Sequence, residues 1–233
     1  MARLQSIGKD IWLCEGPNVD FFGFAYPTRM IVVRLPDESL WVWSPVALDD
    51  DLRDEVAALG AVAHLVSPNK IHHLFLGGWK AAFPEAKLWG PASTIAKRQD
   101  LNFEPALSDM PPRSWGGAIE VFHFTGSPAM DELVFFHAPS STAILADLSE
   151  NFAHGFVEKN WKGWQVFLAR YWGIMKGKAP LEWRLSFFNK SAARSARDRL
   201  LECNPEIVVM AHGEWQQKGG REFLQHSLAW LGK

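Results

Sequence analysis

Apolar residues along the chain follow two periods, one of 2 and one of about 3.6, and they change over at recognisable breakers. Residues 3–15 and 29–44 read as strands: TRMIVVRL and LWVWSP flank a PDES turn, with Pro36 and Asp37 marking a hairpin connection. Asp49, Asp50 and Asp51 then supply an N-cap and an acidic first turn to a helix that carries Leu52, Val56 and Leu59 on one face and stops at Gly60. Residues 61–66 have the length and β-branched content of a buried strand. Pro68 and Asn69 end it, and Leu74, Phe75 and Trp79 resume at helical spacing, so His72 and His73 fall at a strand-to-helix turn.

The second half repeats the alternation. AKLWG reads as a short strand and PASTIAKR as a helix with Pro91 at its start, while residues 102–117 hold too much Pro and Gly for regular structure and read as a connection. Strands follow at 119–124, 132–137 and 142–147. Residues 151–175 have helical period, as do 191–201 and 221–231, with the β run EIVVM between the last two. Strands, then helices, then strands and helices again predict one domain over residues 1–233, two sheets face to face with helices on both outer sides.

Composition narrows the function. The chain has 233 residues, 48% of them hydrophobic, and a formal charge of −2, which leaves no basic footprint for duplex nucleic acid. Cys14 and Cys203 are far apart with no C-x-x-C, as in a reducing compartment. The start, MARLQSIGKDIW, has no apolar leader, and no later run reaches bilayer length, so the expectation is a cytoplasmic protein without a transmembrane segment. Aromatic usage is unusual: 12 Trp and 16 Phe against 2 Tyr. Most Trp are expected to fill the core. The stretch 161–172, with Trp161, Trp164, Phe167, Leu168, Tyr171 and Trp172 among Lys159, Lys162, Arg170 and Lys176, either covers the core or forms a contact with a second copy or a membrane surface.

Polar groups with metal-ligating chemistry stand where apolar strands stop: His72 and His73, His123, Asp147, and His212 before Gly213. Each has a plain structural alternative. His72 and His73 either cap the following helix or bind a metal, and Asp147 either caps a turn or serves as a ligand. A carboxylate directly after LVFF…TAILA is costly without a partner. His137, inside a strand, reads as a core histidine.

These elements resemble the metallo-β-lactamase fold superfamily, whose first motif, H-x-H-x-D-H, follows a strand and is succeeded by a middle His, a bridging Asp and a final His. Laid on that motif, SPNKIHH puts Pro68 and Lys70 at the first two histidines, His72 at the Asp and His73 at the last His. Asp147 in ILADL resembles the bridging Asp, His212 in MAHG the final His, and His123 in HFTGS the middle His. The wider pattern is similar to an uncharacterised family of metallo-β-lactamase type, and the resemblance covers nearly the whole chain. It implies a four-layer αββα sandwich, loss of one metal site, and at most one Zn or Fe ion held by His72, His73, Asp147 and His212.

Two functions follow from that likeness. In the first, a metal-dependent hydrolase acts on an ester, lactone, thioester or phosphoester, with Asp147 orienting the nucleophile and Lys70 drawing in an anionic group. In the second, the sandwich is a non-catalytic binding or assembly module without metal, and the 161–172 helix provides a homodimer contact or an apolar pocket.

Overall fold

In the computed structural model, which describes residues 3–232, ten strands form two sheets. The first sheet is built from β1 (Gln5–Gly8), β2 (Ile11–Phe21), β3 (Phe24–Arg34) and β4 (Leu40–Trp43), then α1 (Asp50–Ala57), β5 (Val62–Val66), α2 (Leu76–Ala82) and β6 (Lys87–Trp89). Strands β1 to β4 pair antiparallel in sequence order, whereas β4, β5 and β6 run parallel because helices α1 and α2 carry the chain back between them. Asp49 starts α1 as expected: its Oδ1 accepts the Leu52 N–H at 2.9 Å.

Helix α3 (Ala92–Lys97) and an irregular stretch lead to β7 (Ile119–Phe124), β8 (Glu132–His137) and β9 (Thr142–Leu145). Then come α4 (His154–Asn160), α5 (Gly163–Trp172), α6 (Leu181–Leu185), α7 (Ser191–Glu202), β10 (Ile207–Met210) and α8 (Gly220–Ser227). The second sheet has the order β10-β9-β8-β7, with β10 parallel to β9. Strand β8 is buried on both faces, since it lies inside that sheet and the sheet inside the sandwich.

Three apolar layers hold this together. Between the sheets, Ile31, Trp41 and Trp43 meet Leu133, Phe135, Ile144 and Val209. Outside the first sheet, Met30, Val32 and Val42 pack under Leu52 and Val56 of α1 and Leu76 and Trp79 of α2. Outside the second, Phe122, Val134 and Leu145 pack under Ala193, Ala196 and Leu200 of α7 and Leu224 of α8. The layers therefore run helix, sheet, sheet, helix. Trp41, Trp43, Trp79 and Trp115 are wholly buried, as the core account of the tryptophans predicts.

Three elements differ from the expectation. Strands β2 and β3 extend through residues 16–28 as one long hairpin. The breakers Gly16 and Pro17 are absorbed by a register shift between Glu15 and Asn18, where an extra residue needs no ladder partner. At Gly16 the backbone crowds Thr28 and Val46, leaving no space for a Cβ. The helical stretch 151–175 is two helices, α4 and α5, broken at Trp161 and Lys162, both in extended backbone. The helix after the paired histidines begins at Leu76, and Leu74 is exposed.

Candidate metal centre

Three loops at one end of the sandwich converge on Asp147. His72 lies in the turn between β5 and α2, Asp147 just past β9, and His212 just past β10. His72 Nε2 is 3.2 Å from Asp147 Oδ2 and His212 Nε2 is 3.3 Å from Asp147 Oδ1. One ligand atom from each of the three falls within 4.8 Å of the others. All three side chains are almost sealed from solvent, at 9%, 5% and 7% exposure.

Each imidazole is oriented through its other nitrogen. His212 Nδ1 donates to the Pro27 carbonyl at 2.8 Å, and a carbonyl only accepts, so the proton of the neutral ring sits on Nδ1. Nε2 then faces a carboxylate oxygen. His72 Nδ1 is 2.8 Å from Ser44 Oγ, and Ser44 is held there in left-handed backbone with φ 47°. Ring contacts complete the setting: Trp43 stacks on His72, Phe152 stacks on His212, and Tyr26 meets His212 edge-on. Gly213 has φ 87°, and a Cβ there would collide with the Asn151 carbonyl, so the residue after His212 has to be glycine.

Beneath the triad lies a layer that sequence reasoning missed. Asn69 Nδ2 donates to Asp147 Oδ2 at 2.7 Å and reaches Glu132 Oε2 at 3.1 Å, while its Oδ1 accepts the Ile71 and His72 N–H groups. Glu132, fully buried, accepts the backbone N–H groups of Ala146, Asp147 and Leu148. Asn69 read only as a strand breaker and Glu132 only as the first residue of a strand. A buried acid opening the run ELVFFH was the available signal, because it demands partners. Arg29, also buried, bonds the Met210 and Gly213 carbonyls and the Glu15 carboxylate, fixing the His212 loop to β3.

Charge follows from this packing. Burial opposes ionisation of Asp147, but His72 and His212 beside it outweigh burial and hold its carboxyl far below the usual range. Burial likewise disfavours a charged His72, and Asp147 overrides it, so the His72 pKa lies above its ordinary value. Glu132 is pushed up to about 7 by burial and by the Asp147 charge.

The other expected ligands lie elsewhere. His73 borders the same cleft but turns toward Arg98, whose Nη1 donates to the His73 carbonyl at 2.8 Å and lies 3.3 Å from its Nδ1. His123 sits on β7, with Nε2 2.7 Å from Asp131, which also accepts the Ser93 hydroxyl. A nearer carboxylate engages His123, and it does not join the triad. Lys70 lines the cleft. That cleft, about 750 Å³, opens above the triad between the β2–β3 hairpin and the loops around α5 and α6, walled by Phe24, Tyr26, Trp172 and Trp183. Glu150 lies in its wall, 3.4 Å from the Tyr26 hydroxyl, and burial together with Asp147 holds it well above the usual carboxylate range.

Among the solved structures with this architecture are metallo-β-lactamases and a flavodiiron protein core. The metallo-β-lactamase from Pontibacter korlensis matches with a TM-score of 0.62 at 16% identity, over 98% of this chain and 97% of that one. One from Hirschia baltica gives 0.63 at 11% identity, over 98% and 96%. Rubredoxin oxygen:oxidoreductase from Desulfovibrio gigas gives 0.64 at 14% identity, over 95% of this chain and 60% of the longer protein. At these identities the likeness is one of fold. No curated protein sequence matches. A family model, Domain of unknown function (DUF4336), matches residues 9–154, a span that includes His72, Asn69, Glu132 and Asp147. With more than half of its length so matched, on a metallo-β-lactamase sandwich, the chain belongs to the DUF4336 family.

Proposed function

We propose that the chain is a metal-dependent hydrolase with one metal centre, held by His72, Asp147 and His212. The observation that carries this reading is the His212–Asp147 contact. With Nδ1 held by the Pro27 carbonyl, His212 points Nε2 at a carboxylate oxygen 3.3 Å away, and His72 Nε2 faces the other at 3.2 Å, so three potential ligand atoms within 4.8 Å of one another surround a place a cation would fit. Two imidazole nitrogens and one carboxylate suit Zn²⁺ or Fe, and three protein ligands leave a coordination position open. A bound ion would supply Lewis-acid polarisation of the substrate and a nucleophilic water near neutral pH.

The surrounding residues would do the rest. Asn69 fixes Asp147 Oδ2, so the carboxylate keeps Oδ2 toward His72 and Oδ1 toward His212. Ser44 and Pro27 hold His72 and His212 in rotation. Phe24, Tyr26, Trp172 and Trp183 exclude water and favour a substrate with an apolar body. Lys70, in the cleft wall, attracts an anionic group on an ester-, lactone-, thioester- or phosphoester-type substrate. Glu150, raised well above the usual carboxylate range by burial and the Asp147 charge, accepts the Tyr26 hydroxyl in the cleft wall and would serve as the acid toward a leaving group.

The test is metal content by mass spectrometry on tag-free protein, with a hydrolase substrate screen at neutral pH. About one ion per chain, lost in a His72→Ala, His212→Ala double variant, is expected. A parent that takes up no Zn²⁺, Fe²⁺ or Mn²⁺ would overturn the mechanism and leave a metal-free binding module.

A further inference from the structure

Helix α5 turns Trp164, Phe167 and Tyr171 outward at 57%, 69% and 67% exposure, three large aromatics at spacings of 3 and 4 on one helix face. The face does not stop at the helix. Gln165 Nε2 donates to the Gly23 carbonyl at the tip of the β2–β3 hairpin, and the Phe24 ring touches Trp164 at 5.7 Å. Beside them stands Phe22, 86% exposed, with Phe21 against it at 4.8 Å. Monomeric proteins seldom leave such a run of aromatic side chains in water.

Charge identifies what covers it. From residue 151 to 182 the basic residues are Lys159, Lys162, Arg170, Lys176 and Lys178 and the acidic ones only Glu158 and Glu182, in a chain whose net charge is −2. Glu158 is 3.9 Å from Arg170 and both are exposed, so this pair neutralises little. The hairpin tip adds one carboxylate, Asp20, which accepts the Gly23 N–H. Exposed Trp, Tyr and Phe interleaved with Lys and Arg match the depth profile of a bilayer interface, aromatics at the headgroup boundary and cations at anionic phosphates. A second copy matches poorly, because a two-fold contact would gather the excess of Lys and Arg from both copies into one interface.

We propose that α5 and the tip of the β2–β3 hairpin form a docking face for an anionic lipid bilayer. Phe21 and Phe22 of that tip and Trp172 of α5 also line the cleft, so the docked molecule presents its cleft mouth to the lipid.

Co-sedimentation with vesicles tests this, comparing phosphatidylcholine alone with phosphatidylcholine containing phosphatidylglycerol. The protein pellets with the anionic vesicles, less as salt rises, and stays in solution with the neutral ones. Replacing Lys162 or Arg170 by Gln weakens partition about five-fold each. A Phe167→Ser, Tyr171→Ser variant, unchanged in its melt because both side chains are exposed, loses binding. His212→Ala keeps it, which separates this face from the metal centre. Two results would overturn the proposal: parent protein that ignores anionic vesicles, or a dimer in analytical ultracentrifugation that Phe167→Ser dissolves, which assigns the face to a second copy.

Discussion

Asn69 donates its side-chain amide to Asp147 at 2.7 Å while reaching Glu132 at 3.1 Å, one neutral group standing between two buried carboxyls. Removing it leaves both acids facing a void. Asn69→Ala is expected to cost about 3 kcal/mol, the upper range for orphaning buried partners, and Asn69→Asp more, since it adds a third acid. Urea unfolding at neutral pH checks the order. A loss under ~0.5 kcal/mol for Asn69→Ala would show that the amide is dispensable.

Metal uptake should divide the histidines. His72→Ala and His212→Ala each abolish stoichiometric Zn²⁺ binding, whereas His73→Ala and His123→Ala retain it within about two-fold, because Arg98 and Asp131 hold those rings outside the triad. Calorimetric titration of the four variants decides. Equal loss in His73→Ala would restore it to the ligand set.

Ser44 separates stability from binding. Its left-handed backbone suits glycine, so Ser44→Gly is expected to gain up to about 1 kcal/mol of stability from the relief of strain. The same change frees His72 Nδ1 and lowers metal affinity about ten-fold. A melt and a metal titration on one preparation should move in opposite directions; parallel movement would refute the strain account.

His137, distant from the centre, supplies a pH signature. Burial lowers its pKa from 6.5 to about 4, so between those values the unfolded chain takes a proton that the folded chain refuses. Its contribution is therefore present above pH 6.5 and lost as pH falls toward 4. The stability advantage of the parent over His137→Gln should shrink across that window in urea midpoints measured at successive pH values. A constant gap would mean that the imidazole titrates normally.

How much of this was readable depends on whether a residue's partners are local. The β7 and β8 strands lie where their alternating apolar runs put them, and Asp49 caps α1 because the acceptor and its N–H are three residues apart. His72, Asp147 and His212 were recoverable as polar residues at strand ends. Asn69 was not, since its carboxyl partners lie 63 and 78 residues away and its type suits a turn equally, while Glu132 left only the signal of an acid opening an apolar run. His73 could not be distinguished from its neighbour, because the choice is made by Arg98, 25 residues on. The long hairpin stayed hidden behind Gly16, Pro17 and Pro27, breakers that a bulge renders harmless.

His72 is carried by the first sheet, and Asp147 and His212 by the second. Neither sheet alone contains the ligand set, so it comes into being only when the two dock. An ion bound there would fasten the two sheets to each other, and a contact absent from the folding transition state governs escape from the native state rather than the approach to it. Loading would then leave the refolding rate almost untouched while lengthening the lifetime of the folded chain, a latch on the sandwich readable without any substrate.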